Sequence, residues 1–287
     1  MSMSLRQISH HVYVDTEVGG GNSGAILLED GIVVVDAAFA RSARAFRTSV
    51  EKISPKKITH LILTHSHSDH VFGNEVYTDC EIVAHESLKT RMQELASTDW
   101  TKENLQRQVA DLERTNPQMA EQFKEVHIVL PTRTFTDKLV LGQGQFRVEV
   151  IHTGGHTADS SIVHIPQEGI VFAGDLIFAG IYPFGGDPSA DPDVWVKALN
   201  RIRNMHPTFI VPGHGPVCNL EEIDNYISYI SKTKSVMLRL LSENKSEDEV
   251  VTNPALPLFD GHEGQFRTSS LAHWYQVWKQ RAGKQER

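Results

Sequence analysis

A short apolar run that ends in a dense cluster of histidine and aspartate constrains this chain more than any other feature. Residues 58–64 read as a strand buried on both faces. Directly after it come four side chains that bind metals in proteins: His65, His67, Asp69 and His70. One strand end can present these ligands to two adjacent ions, and imidazole and carboxylate suit zinc and, less selectively, iron or manganese. A polar loop with chance histidines is the alternative, and the density of the cluster disfavours it.

Three further segments place a histidine or an aspartate just past a predicted strand and beside glycine. They are residues 153–157, 173–175 and 212–215, and their candidate ligands are His156, Asp175 and His214. Glycine lets the backbone approach closely at such places. Ligands on the strand-end loops of a rigid sheet are the usual way to build an accurate site. Each segment alone is more often a turn, but the repeated placement predicts one joint metal site.

Composition excludes several classes of protein. The 287 residues suit one large domain or one domain with an appendage. The net charge of −8 disfavours non-specific binding of nucleic acid, which requires a basic face. With only Cys80 and Cys218, no disulfide framework is expected, and no apolar run is long enough to cross a bilayer. The N-terminal residues contain no signal-peptide pattern. We expect a cytoplasmic protein with a small-molecule substrate and no membrane or nucleic-acid partner; a processed, secreted form is the alternative.

The remaining pattern predicts strands with helices between them, and therefore sheet layers covered by helices. Strands are expected at residues 11–15, 25–29, 32–36, 58–64, 81–84, 127–130, 134–141, 146–152, 160–165, 170–173 and 208–211. Helices are expected at residues 41–52, 86–125 with a break near Asn116 and Pro117, 193–205 after Asp191 and Pro192, and 219–241 with Asn219 as its cap. The segment 86–125 is expected to be a solvated helical hairpin, with a lid or a dimer surface as alternatives.

The C-terminal segment carries an apolar stripe. Four large side chains fall at helical spacing: Leu271, Trp274, Tyr275 and Trp278. Such a stripe is not left in water, so the helix is expected to pack near residues 178–187 or on a partner subunit. We predict a catalytic domain over residues 1–235 and a C-terminal helical extension over residues 236–287. A homodimer is an open alternative.

The seven candidate ligands resemble, in kind and order, the metal-binding motifs of the metallo-β-lactamase superfamily, over about residues 8–217. The resemblance implies an α/β (α+β) fold, an αββα four-layer sandwich of the metallo-β-lactamase type. It implies a dinuclear site with two zinc ions per chain, iron or manganese being alternatives. By the resemblance, one ion takes His65, His67 and His156; the other takes Asp69, His70 and His214; and Asp175 bridges them. Asp36, which matches the first motif of the family, is then structural or supports a ligand.

The resemblance also implies a reaction. A dinuclear site activates a water as metal-bound hydroxide, which cleaves an ester, thioester, lactone or amide bond, and Asp69 relays a proton in addition to binding metal. With an aspartate at position 175, the chain resembles the glyoxalase II, lactonase and nuclease branches of the family more than the enzymes that hydrolyse antibiotics. The net charge of −8 disfavours the nuclease branch. Lactonases of the family carry a tyrosine where Phe178 stands, and Tyr182 is the nearest phenol in this chain.

Two other interpretations stay open. A persulfide dioxygenase-like oxidoreductase would hold one iron by His65, His156 and Asp175, in the two-histidine, one-carboxylate arrangement. A non-catalytic protein that keeps the fold is less expected, because such proteins lose ligands and this chain retains all seven. His85 and His152, each near a predicted strand end, are candidates for orienting a ligand.

Overall fold

The computed structural model describes residues 5–17, 19–124, 126–142, 146–259, 264 and 266–285. These residues form two compact units. The first comprises residues 1–152 and 161–168, and the second comprises residues 153–160 and 169–287. The predicted boundary between a catalytic domain (residues 1–235) and a C-terminal extension (residues 236–287) stays a prediction.

A mixed sheet of seven strands, in sequence order, dominates the first unit. Its strands are β1 (Arg6–Gln7), β2 (Val12–Asp15), β3 (Ser23–Leu27), β4 (Ile32–Val35), β5 (Ile58–Ile62), β6 (Glu81–His85) and β7 (Arg133–Phe135). Neighbours from β1 to β4 are antiparallel, and those from β4 to β7 are parallel. The carboxyl ends of β4, β5 and β6 therefore share one edge of the sheet. That edge carries Asp36, the histidine-rich segment and His85.

The helices of the first unit cover this sheet and follow its strands. They are α1 (Ala40–Ile53), α2 (Ser68–Val71), α3 (Glu86–Ser97), α4 (Lys102–Thr115) and α5 (Pro117–Phe123). Helix α1 buries Phe46 and Val50 in the apolar core, while α4 buries only Leu105 among its residues. Asn116 caps α5 by accepting from the Met119 N–H, at the break that the sequence predicts. The segment is thus helical as expected.

Three antiparallel strands complete the first unit: β8 (Lys138–Leu141), β9 (Val148–His152) and β10 (Ser161–Ile165). Strand β10 begins next to the histidine-rich segment, because the Ser161 N–H donates to the Thr64 carbonyl at 2.8 Å.

In the part of the second unit that the structure describes, a parallel strand pair is accompanied by four helices. The elements are β11 (Ile170–Phe178), α6 (Pro192–Arg203), β12 (Phe209–His214), α7 (Leu220–Ser242), α8 (Glu247–Val251) and α9 (Arg267–Gln285). Asp191 caps α6 and Asn219 caps α7, as their positions in the sequence predict. Every residue of β11 is buried. The candidate ligand Asp175 lies within this strand, whereas the sequence predicts that it follows a strand over residues 170–173.

The prediction for the C-terminal helix is confirmed. The four side chains of its stripe, Leu271, Trp274, Tyr275 and Trp278, are at most 2% exposed. The Ser270 hydroxyl donates to the Pro183 carbonyl and accepts from the Gly185 N–H, while the Trp274 ring packs edge-on to Trp195 of α6. The helix therefore docks on the 178–187 loop and on α6 within its own unit.

Two predicted strands are wrong. Residues 127–130 form an extended loop and no strand. The Asn74 side-chain amide donates to the Val129 carbonyl, and the apolar side chains of the segment pack against the core. Residues 134–141 are two strands rather than one, β7 and β8, which belong to different sheets. Thr136 and Asp137, both exposed, separate the two strands.

The α+β class is confirmed by the two sets of strands and the helices that accompany them. Among the described residues, no helix combines the length and apolar character needed to cross a membrane. Cys80 and Cys218 are free thiols.

Candidate metal centre

Asp36 organises the edge of the sheet in the first unit. It follows β4 with φ of 55°, in the left-handed region that aspartate tolerates better than most side chains. Its Oδ1 accepts from the Thr64 N–H at 2.8 Å, and its Oδ2 accepts from the Thr64 hydroxyl at 2.7 Å. Asp36 is 2% exposed, so these bonds form in a buried environment. The carboxylate therefore fixes the start of the histidine-rich segment.

The same carboxylate orients two of the histidines. His70 donates from Nδ1 to Asp36 Oδ2 at 2.9 Å. Because the Thr64 hydroxyl donates its proton to Asp36, its oxygen accepts from Nδ1 of His65, 3.1 Å away. Both imidazoles, when neutral, then carry the lone pair on Nε2, which is the atom a metal would bind.

Four predicted ligands lie together in the first unit. Nε2 of His65 is 3.0 Å from Nδ1 of His67, and the ring centroids of His65 and His70 are 4.2 Å apart. An Oδ of Asp69 lies 4.0 Å from Nε2 of His70. Gly21 packs against this group, since a Cβ there would lie 2.3 Å from the His70 ring. The cluster is therefore close-packed on at least one side.

The other three predicted ligands lie together in the second unit. Asp175 directs one carboxylate oxygen at each histidine: Oδ2 is 3.5 Å from Nε2 of His156, and Oδ1 is 3.4 Å from Nε2 of His214. His156 donates from Nδ1 to the Phe184 carbonyl at 3.0 Å, which leaves its Nε2 with the lone pair. One carboxylate thus stands between two imidazoles, with one oxygen facing each.

Close backbone contacts hold Asp175 in place. A Cβ added at Gly213 would lie 1.9 Å from Asp175 Oδ1, so only glycine fits beside this carboxylate. The His214 ring stacks on Phe178, with centroids 5.1 Å apart and planes 11° apart. Parallel pairing of β11 with β12 brings these residues into register. The strand pair therefore sets the position of both side chains.

The donors present fit zinc. Two atoms that bind one tetrahedral ion at about 2.0–2.1 Å are separated by about 3.3 Å. The nitrogen pair of His65 and His67, and the two nitrogen–oxygen pairs on Asp175, are separated by 3.0–3.5 Å. Imidazole nitrogen and carboxylate oxygen, without thiolate, are ligands that zinc, iron and manganese accept.

Three other residues that the sequence raised have defined positions. The rings of His85 and His152 stack on one another, with centroids 3.7 Å apart, and Nδ1 of His85 caps α3 by accepting from the Ser87 N–H. The Tyr182 hydroxyl is hydrogen-bonded to that of Tyr229, and burial raises the pKa of Tyr182 far above its usual value. Tyr182 is thus a buried packing residue of the second unit, and its phenol is held in its neutral form.

Sequence reasoning missed the groups that position the ligands. The Thr64 hydroxyl and the Phe184 carbonyl each orient a histidine, and the Tyr226 hydroxyl binds both backbone groups of Phe178. Thr64 had a detectable signal, since it immediately precedes His65. Phe184 and Tyr226 carried none, because a backbone carbonyl and a helical tyrosine have no sequence signature for such a role.

The fold and the two ligand clusters now define the class of protein. The chain belongs to the metallo-β-lactamase superfamily, whose family description matches residues 16–214, more than half of the chain. It is similar to the metallo-beta-lactamase type 2 of Bacillus sp. (strain 170), 29% identical over 75% of this chain and 77% of that protein. It is also similar to the linear primary-alkylsulfatase of Pseudomonas sp. (strain ATCC 19151), 22% identical over 79% of this chain and 48% of that protein.

Solved structures share the fold, which confirms the metallo-β-lactamase type. A metallo-beta-lactamase from Pontibacter korlensis matches with a TM-score of 0.62 and 20% identity, covering 80% of this chain and 99% of that chain. The sec-alkylsulfatase Pisa1 from Pseudomonas sp. matches with a TM-score of 0.74 and 14% identity, covering 96% of this chain and 50% of that chain. The chain therefore spans about half the length of each alkylsulfatase it matches.

Proposed function

We propose that the chain is a hydrolase that binds two zinc ions and cleaves an ester-type bond of a small molecule. One ion would be held by His65, His67 and His156, the other by Asp69, His70 and His214, and Asp175 would bridge them. The observation that carries the proposal is the position of Asp175, with one carboxylate oxygen directed at each of two histidines. In support, candidate donors cluster within each unit: His65, His67, Asp69 and His70 in the first, and His156, Asp175 and His214 in the second.

The proposed chemistry divides between the ions and the chain. When bound, two zinc ions lower the pKa of a shared water and polarise the oxygen of the scissile bond. The residues of the chain hold the ligands in their binding tautomers, through Asp36, Thr64 and the Phe184 carbonyl. Preorganised ligands of this kind need little rearrangement during the reaction.

Asp69 is the residue we assign to proton relay. Its side chain is 27% exposed, whereas that of Asp175 is 4% exposed. A carboxylate that water reaches can pass a proton to solvent, and a buried bridging carboxylate cannot do so as readily. The assignment separates the two aspartates by role.

The substrate class is the finer part of the proposal. We place it among carboxylic esters, thioesters, lactones, β-lactam amides and alkyl sulfates, the last two because relatives of this chain carry the names metallo-beta-lactamase and alkylsulfatase. A panel of these substrates, with a phosphodiester as the comparison, should give one class with the highest kcat/KM.

The test begins with metal analysis of the purified chain. Two zinc ions per chain, with hydrolysis that is lost on chelation and restored by zinc, would support the proposal. One iron per chain, with consumption of oxygen in the presence of a persulfide, would overturn it in favour of the dioxygenase alternative. Metal-free protein with no activity after reconstitution would favour a non-catalytic role.

Variants then test the ligands. His67→Ala and His214→Ala should each lower kcat/KM by about 100-fold or more, since even residues that only support a ligand contribute about 10–100-fold. Far-UV circular dichroism should stay unchanged, because His67 lies in the loop after β5 and His214 is the last residue of β12, whose backbone pairing does not need the ring. His10→Ala, at an exposed position of the first unit, is the matched control and should retain wild-type activity.

A further inference from the structure

Helix α9 holds the 178–187 loop of the second unit through one fully buried polar side chain, Ser270. A hydroxyl buried on an otherwise apolar helix face costs free energy unless it is hydrogen-bonded. The Ser270 hydroxyl accepts from the Gly185 N–H at 2.8 Å. Its single proton faces two carbonyls, that of Phe266 at 2.7 Å and that of Pro183 at 3.3 Å. The bond accepted from Gly185 is therefore the stronger of its two links to the loop.

Packing holds the loop against the same face of α9. A Cβ added at Gly185 would lie 2.7 Å from the Trp274 indole, so the loop backbone lies directly on the helix. Trp274 follows Ser270 by one helical turn, which places both side chains on one face. Farther along the loop, Nε2 of His273 lies 2.8 Å from the Ala190 carbonyl. The helix therefore positions the loop backbone at more than one point.

The residue between the two positions that Ser270 contacts carries the group that orients a candidate ligand. Phe184 lies between Pro183 and Gly185, and its carbonyl accepts from Nδ1 of His156 at 3.0 Å. A carbonyl only accepts, so Nδ1 carries the proton and Nε2 keeps the lone pair. His156 is fully buried, which makes the partner of each ring nitrogen decisive.

The proton on His156 has a competing acceptor. Oδ2 of Asp175 lies 3.5 Å from Nε2, whereas the Phe184 carbonyl lies 3.0 Å from Nδ1. At these distances the hydrogen bond at Nδ1 is the stronger one, so the proton stays on Nδ1. The shape of the ring, and so its edge-on packing against Phe178 and Trp195, is the same in either tautomer. The position of the Phe184 carbonyl therefore decides whether Nε2 keeps its lone pair for an ion.

We infer that Ser270 of α9 is a positioning residue of the metal centre: it holds the Gly185 N–H, and with it the Phe184 carbonyl that orients His156. This role rests on the proposed function, since it takes His156 as a zinc ligand. Ser270 acts on that ligand through the loop backbone. The C-terminal helix thereby contributes to metal binding, in addition to packing on the second unit.

Zinc affinity measures this role without using catalysis. Groups that directly orient a metal ligand contribute about 10–100-fold to affinity, and Ser270 acts one step further away, so Ser270→Ala should weaken one zinc ion by about tenfold and leave the other within about twofold. Competition with a chelator resolves the two ions. Ser270→Thr keeps the hydroxyl and should bind zinc like the wild type. Ser270→Cys, whose sulfur is a weak acceptor, replaces the alanine variant if that variant does not fold.

Nitrogen NMR tests the contact itself. Spectra of the metal-free full chain at about pH 8, where an ordinary imidazole is neutral, show which nitrogen of His156 carries the proton, and His156→Gln assigns the signal. The proton should lie on Nδ1 in the wild type and in Ser270→Thr. In Ser270→Ala a measurable share of the Nε2–H form should appear, because Asp175 then competes better for the proton. This measurement requires neither zinc nor turnover.

Two control variants separate positioning from packing. Ser269→Ala changes the adjacent, exposed serine of α9, whose hydroxyl donates to the same Phe266 carbonyl at 3.1 Å. It should leave zinc affinity and the tautomer unchanged. Val250→Ala removes buried methyl groups from α8, which packs against α9. It should lower Tm at least as much as Ser270→Ala does, because it leaves a cavity, and should change neither readout.

The outcomes separate the two proposals. A lower Tm in Ser270→Ala, with zinc affinity and the His156 tautomer as in the wild type, would overturn the positioning role and leave the hydrolase intact. A changed tautomer in Ser270→Ala, when the wild-type chain binds no zinc, would overturn the proposed function and support the contact from Ser270 to His156. Equal loss of both zinc ions in Ser270→Ala and Val250→Ala would assign the effect to general loosening of the second unit and overturn the inference.

Discussion

Oδ2 of Asp36 lies 2.9 Å from Nδ1 of His70, with both side chains buried. The same oxygen accepts from the Thr64 hydroxyl, whose oxygen in turn faces Nδ1 of His65. One carboxylate at the end of β4 thereby sets the ring orientation of two candidate ligands that belong to the loop after β5. Since β4 and β5 are parallel neighbours, the sheet supplies this relationship through its pairing.

Asp36→Asn should weaken metal binding by about 10–100-fold, with a comparable fall in activity at limiting zinc. The amide keeps the shape of the carboxylate but loses the charge that strengthens the bonds from Thr64 and His70. Competition with a zinc chelator measures the affinity. Asp30→Asn, at an exposed acid of the same unit, is the control. Equal zinc affinity in Asp36→Asn and wild type would show that the carboxylate only holds the loop.

Gly213→Ala should abolish most activity and lower the zinc content, because the added methyl would lie 1.9 Å from Asp175 Oδ1 and displace the carboxylate. Gly283→Ala on α9 is the control, since nothing lies within 4 Å of its added methyl. That change should raise stability by up to about 1 kcal/mol through helix propensity. Zinc content and kcat/KM of the two variants give the comparison; a fully active Gly213→Ala would mean that Asp175 is free to move without loss.

Tyr226→Phe should destabilise the second unit by about 1–3 kcal/mol. Its hydroxyl accepts from the Phe178 N–H at 2.7 Å and donates to the Phe178 carbonyl at 3.1 Å. Burial raises the pKa of Tyr226 well above its usual value, so the hydroxyl stays protonated and donates at all relevant pH values. Without it, both backbone groups at the end of β11 lose this partner.

Thermal unfolding of Tyr226→Phe measures the effect. Tyr275→Phe serves as the control, because that hydroxyl donates to the Lys245 carbonyl over a longer distance of 3.3 Å. Its loss should be the smaller of the two. The opposite order would contradict the assignment of Tyr226 to the end of β11.

Arg281→Gln should lower Tm by about 2–4 °C at pH 7, equivalent to about 1 kcal/mol for a partly exposed ion pair. Arg281 of α9 binds Asp191 and Asp193, at the start of α6. Burial raises the pKa of both carboxyls, but hydrogen bonds outweigh it, from Arg281 to Asp191 and from Lys234 and Trp278 to Asp193, so both pKa values are lowered.

The pH dependence follows from the sign of these shifts. A carboxyl whose pKa is lower in the folded state stabilises the protein above its unfolded pKa of about 3.9, and this contribution is lost as pH falls through the folded pKa. The difference in Tm between wild type and Arg281→Gln should therefore be full at pH 7 and shrink below about pH 4. Unfolding scans across that range measure it; a difference that is constant with pH would assign the effect to packing of the arginine stem.

Local signals in the sequence determined much of the secondary structure. Asp191 and Asn219 cap their helices through short-range hydrogen bonds, which depend on residues two or three positions away. The stripe of α9 is equally local, since its spacing places the large side chains on one helix face. The strand predicted at residues 127–130 is wrong, because an apolar run forms a strand only where a neighbouring strand is available to pair with it, and the run itself does not show this.

The sequence by itself identified the candidate ligands, because imidazole and carboxylate side chains have the same metal-binding chemistry in any fold. It placed His65, His67 and His70 correctly after a strand, but Asp175 lies within β11. Only the tertiary structure decided which group orients each ligand. Asp36 and His70 are separated by 34 positions, and His156 and Phe184 by 28, so strand pairing and loop packing bring them together.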